Sequence, residues 1–205
     1  MNIGSQVNTY HPKGHCAVPA EDWFGQLTLG PPVEAVPCAF TPEQYRASIA
    51  EAHRYLQAGI AKYHQGVHHA ALKAFQKALQ VYRELEDLTA EVQILIVMTR
   101  LNYSLGEYLW AIDCARQSLA IANLLATKPL MQEALSYLGN SYRHLGDLDK
   151  ASDAMDQSLK LAEELGDTSA TMRALSNLAL IHRTQNNAEV AAQLYEKDRK
   201  STRLN

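Results

Sequence analysis

After Pro42 this sequence contains one proline, Pro129. Proline fixes φ and removes a backbone donor, so its scarcity leaves most of the chain free to form unbroken helices. The other six, Pro12, Pro19, Pro31, Pro32, Pro37 and Pro42, crowd the beginning and exclude regular helix from Met1 to Phe40. There is no run of about 18 apolar residues, which excludes a membrane-spanning helix. A secretion signal is not expected, because His11, Pro12, Lys13 and Gly14 interrupt the stretch that would have to be apolar. Cysteine is sparse. Cys16, Cys38 and Cys114 are odd in number and irregular in spacing, so there is no disulfide framework, and a reducing cytoplasm is the natural compartment. Positive charge is not in excess: Lys and Arg total 19 against 22 Asp and Glu, a formal net charge of -3. That balance argues against nucleic acid or an anionic membrane as partner.

Signatures of chemistry are missing too. No Gly-rich phosphate loop, His-Glu-x-x-His or nucleophile elbow occurs. His64, His68 and His69 cluster, as do His11, His15 and Cys16, but neither group supplies four ligands at zinc spacing. No metal, no cofactor and no enzymatic activity are expected. Glu163, Glu164 and Asp167 read as a solvated face and a helix cap.

What is present is a repeat. From Thr41 onward, Gly66, Gly106, Gly146 and Asn186 stand 40 residues apart. Five residues after each comes alanine: Ala71, Ala111, Ala151, Ala191. Four further on are Phe75, Ala115, Met155 and Tyr195, then Ala78-Leu79, Ser118-Leu119 and Ser158-Leu159. Glycine and asparagine tolerate the left-handed conformation of a helix C-terminus, and the recurrent alanine marks a close helix crossing. Apolar residues recur at helical spacing on both sides of each turn, as in Leu135, Leu138, Tyr142 and then Ala151, Met155, Leu159. Thr41-Pro42-Glu43-Gln44 is a capping-box start. The expected helix pairs are 41–64 with 68–85, 89–104 with 107–125, 129–145 with 148–165, and 168–184 with 187–197.

Leu138-Gly139-Asn140-Ser141-Tyr142, followed by Ala151 and Met155, resembles the tetratricopeptide repeat (TPR) signature, as do Ala58-Gly59, Gly66, Ala71, Phe75 and Ala78. The second copy has Met98-Thr99 in place of Leu-Gly. The period of 40 exceeds the usual 34 and is similar to the long-repeat branch of kinesin light chains and many bacterial TPR proteins. The resemblance implies an all-α, right-handed solenoid of antiparallel helix pairs. It also implies a protein–protein interaction scaffold, or the sensor half of a larger protein.

The resemblance further implies a concave groove lined by the first helix of each pair. Placed on that pattern, the groove holds Leu56, Ile60 and Tyr63, then Ile96, Arg100 and Tyr103. Asn140, Arg143 and His144 follow, and last Arg173, Asn177 and Arg183. The four arginines are expected on one wall, opposed only by Glu133. The implied partner is a peptide that is acidic or ends in a free carboxylate. Asn140 and Asn177 also fall in two columns of the chaperone-type carboxylate clamp, but Ser136 occupies its first lysine column, so a working clamp is not expected.

Three segments are therefore expected. Residues 1–40 form a Pro-rich leader, disordered or loosely docked, whose apolar knot, Trp23, Phe24, Leu27 and Leu29, could dock on the first helices or serve as a short linear motif for a partner. Residues 41–197 form the array, with a truncated fourth repeat. Residues 198–205 back-translate to the start of a common sequencing adapter and break the repeat pattern at Asp198. This tail is expected to be non-native, interrupting the natural frame of a longer protein.

Overall fold

The computed structural model describes residues 40–203, and side chains as far as Arg199. The leader's apolar knot lies outside the described residues. Eight helices follow one another: α1 (Pro42–His64), α2 (His68–Glu84), α3 (Leu88–Ser104), α4 (Tyr108–Leu124), α5 (Lys128–His144), α6 (Leu148–Leu165), α7 (Thr168–Thr184) and α8 (Ala188–Arg203). They pair as expected, with bounds mostly within one or two residues of the sequence reading. The main difference is α8, which runs on past Lys197.

The helix starts follow local chemistry. At α1 the Thr41 amide donates to Gln44 Oε1 (2.9 Å) while the Gln44 amide donates to Thr41 Oγ1 (3.2 Å), closing the expected capping box. Asp87, Asp147 and Asp167 cap α3, α6 and α7 by accepting from the amides of Ala90, Lys150 and Ala170.

The helix ends are more regular than the 40-residue period suggested. Left-handed residues occur at Gly66, Glu86, Gly106, Ala126, Gly146, Gly166 and Asn186, one every 20 positions. At each, the following amide donates five residues back, from Val67 to Lys62, Asp87 to Tyr82, Glu107 to Asn102, and onward to Asn187 to His182. Every turn is thus the same Schellman closure, whether it lies within a pair or between pairs. Glu86 and Ala126 escaped the sequence reading because neither residue favours positive φ.

Each pair crosses at its small residues. Ala71, Ala111 and Ala151 are fully buried, as are Ala78, Ser118 and Ser158. A Cβ added at Gly59 would lie 2.5 Å from the Phe75 ring, and one at Gly139 would lie 2.8 Å from Met155 Cε. In the fourth copy Asp198 takes the place of the small residue and accepts a hydrogen bond from Ser176 (2.8 Å).

The pairs then stack. The largest core cluster joins α1 to α4 and includes Leu56, Phe75, Tyr82 and Leu95. Smaller clusters around Leu135 and Leu138, and around Met155 and Leu178, continue it. No pair can bury its apolar face alone, so stability accrues through neighbours.

Candidate peptide groove

Curvature identifies the inner layer. Next-but-one first helices touch, α3 with α5 and α5 with α7, while the second helices splay apart. The first helices therefore line the concave side.

At its centre Arg100 of α3 donates through Nε to Glu133 Oε1 of α5 at 2.5 Å, with side chains 14% and 25% exposed. Arg100 is thus neutralised within the chain. One turn along α5 sits Tyr137, whose phenol is pushed up to about 12, chiefly by burial and then by Glu133; Arg100 and Arg173 oppose the shift. Arg173 of α7 thus lies near enough for its charge to act on that phenol.

Tyr137 begins an aromatic cluster. The Tyr103 ring lies 5.5 Å from Tyr137 and 5.7 Å from both Tyr108 and His144, each edge-on. His144 stacks on Tyr108 at 4.4 Å and 3°. Arg143 Nη2 lies 3.1 Å from His144 Nε2, and the Tyr103 hydroxyl lies 3.2 Å from the same nitrogen. Burial raises the Tyr103 phenol and Arg143 opposes it. Arg143 Nε is buried with no acceptor.

The structure thus brings Arg100, Tyr103, Arg143, His144 and Arg173 together. Arg183 is exposed on the last turn of α7, and Asn140 and Asn177 are half-buried on α5 and α7. Ile60 and Tyr63 are half-buried against the first core cluster. The Tyr63 ring lies 5.7 Å from His64 and 5.5 Å from His68.

Leu56 and Ile96 require correction. Each is only 3% exposed, so they belong to the packed interior and not to a contact surface. The reason at Ile96 is that α3 buries nearly its whole length, from Ala90 to Asn102. Conversely, Tyr137 and Tyr108 were not expected. Tyr108 stood in a visible repeat column with His68 and Leu148, so its position was legible but its stacking on His144 was not.

Residues 130–197 match the tetratricopeptide repeat family model. The array has the fold of a TPR solenoid. No curated protein matches the chain in sequence. Among solved structures, the apo form of RapI is similar, with a TM-score of 0.71 and 20% identity over 80% of this chain and 48% of that one. BtubC (BKLC) from P. vanneervenii gives 0.68 at 15% identity, over 79% of this chain and 72% of that one. A MamA RS-1 double mutant gives 0.62 at 19%, over 78% and 80%. Identities this low speak for the TPR solenoid fold alone. The chain spans about half the length of RapI.

Proposed function

We propose that this TPR array is a non-catalytic interaction scaffold that holds a partner's peptide in its concave groove, and that the peptide is acidic or carries a free C-terminal carboxylate. One observation carries the reading. Among the described residues no carboxylate pairs with Arg143, Arg173 or Arg183, whereas Arg83, Arg100 and Arg199 are paired. Unpaired cations on the inner wall of a chain of net charge -3 steer acidic segments and repel basic ones. Tyr103 and Tyr137 offer apolar surface near Arg143 and Arg173, and Ile60 and Tyr63 offer more on α1. A second reading is a regulatory array within a longer protein. It draws support from the 48% coverage of RapI and the 40% coverage of aspartyl phosphate phosphatase F from Bacillus subtilis, larger proteins with this fold. The reducing cytoplasm suits both.

The test is a peptide array followed by calorimetry with two charge reversals. Arg143→Glu should weaken binding of acidic peptides about tenfold or more, since charge-assisted pairs in a partly buried site are among the stronger ones. Arg116→Glu should leave it nearly unchanged, because Arg116 is exposed on α4, where it donates to the Tyr142 hydroxyl at 2.6 Å. Raising salt should weaken wild-type binding, as screening acts over about 8–10 Å. Equal losses from both variants, or a preference for basic peptides, would overturn the groove assignment.

A further inference from the structure

Arg143 and His144 make an arrangement that only one protonation state allows. A guanidinium has donors and no acceptor. With Arg143 Nη2 at 3.1 Å, His144 Nε2 must therefore present a lone pair, and the ring proton sits on Nδ1. The Tyr103 hydroxyl, 3.2 Å away, can donate to the same lone pair. Protonating Nε2 would set an N–H against the guanidinium and break that contact, while the Tyr103 hydroxyl could turn to accept. Tyr103 from α3 and Tyr108 from α4 pack their rings on the imidazole, and among the described residues the charge acting on it is Arg143 from its own helix. Burial first, and Arg143 second, hold His144 below its ordinary value of 6.5.

The same place holds an unanswered donor. Arg143 Nε is buried without an acceptor, and a buried donor left unpaired costs about 1–3 kcal/mol. A carboxylate beside it would satisfy Nε and place negative charge next to the imidazole. Tyr108 covers one face of that ring and leaves its edge and other face to a ligand.

We propose that Arg143 and His144 form a carboxylate-capture subsite that takes up one proton from solvent as the carboxylate binds. This rests on the groove reading above and adds its regulation. The incoming carboxylate accepts from Arg143, His144 exchanges its acceptor role for a second N–H, and the charge of the imidazolium is offset by the ligand. The linkage sign follows. The bound state holds the proton more tightly than the free state, so affinity is greatest below the free-state His144 value and declines as pH rises through the bound-state value.

Imidazole nitrogen–proton correlation NMR on the whole chain tests this, with acetate as the probe and chloride at equal ionic strength as the control. In the empty protein His144 should be the Nδ1–H tautomer. In acetate its proton affinity should rise roughly threefold or more, as expected for an opposite charge at close range, and Arg143→Gln should abolish the rise. An Nε2–H tautomer in the wild type, identical titrations in acetate and chloride, or an undiminished rise in Arg143→Gln would each overturn the proposal. Failures of the two readings are separable. Acidic peptides that bind without moving His144 sink the proton uptake alone. An acetate effect with no peptide binding sinks the groove reading and leaves an anion subsite.

Discussion

The first and third helix pairs close around a glycine, whereas the second closes around a threonine. Gly59 faces Phe75 and Gly139 faces Met155, each too closely for a Cβ. In the same register stand Thr99 and Ala115, both fully buried. The Thr99 hydroxyl donates to the Leu95 carbonyl at 2.8 Å, so its burial leaves no polar atom unpaired. The two columns thus vary in opposite directions, with glycine set against a large side chain and threonine against a small one. Met98-Thr99, which looks like a decayed motif in one dimension, is the complement of a small residue 16 positions on.

This comparison can be broken in order of size. Phe75→Ala should cost the most, about 3–5 kcal/mol, because Gly59 cannot fill the cavity it leaves. Ala115→Phe should cost about 1–3 kcal/mol by overpacking against Thr99, and adding Thr99→Gly should recover much of that loss. Thermal or denaturant melts of the two single variants and the double decide it. Additive losses would show that the two side chains do not share a volume. Ala151→Leu should cost about 1–3 kcal/mol at a crossing with no free space. Lys150→Leu beside it should change stability by no more than about 0.5 kcal/mol, since that side chain is exposed and its pairing with Asp147 is a surface one.

The smallest effect sharpens a second contrast, between turns. Ala126 holds a positive φ of 51° where Gly146 holds 82° in the equivalent closure. Ala126→Gly should raise the midpoint of unfolding by relieving left-handed strain, a gain of about 0.5–1 kcal/mol. The mirror change Gly146→Ala should lose about 1 kcal/mol. A loss at both positions would mean that the two turns are not equivalent.

Much of the fold was legible because helix ends and crossings impose local demands. Gly66, Gly106, Gly146 and Asn186 announce left-handed turns, Thr41 and Gln44 announce a start, and the alanine column announces close approach. The matching turns at Glu86 and Ala126 were not legible. There the Schellman closure overrides residue preference, because stacking of successive pairs fixes where each helix must stop. The proposed groove was read as a set of helix faces, and Tyr103, Arg143 and His144 from those faces lie in contact.

What the order of residues determined alone is therefore the period, the pairing and the side of each helix that turns inward, since all three follow from spacing along one helix. Only the tertiary structure decided which inward residues are free to act. Arg100 is neutralised by Glu133, 33 residues away, and Ile96 is buried because neighbouring helices enclose α3. Tyr108 reaches His144 only because α4 folds back beside α5. Those facts depend on distances between helices, and repeat periodicity carries no information about which side chain from one helix spends the charge or covers the face of another.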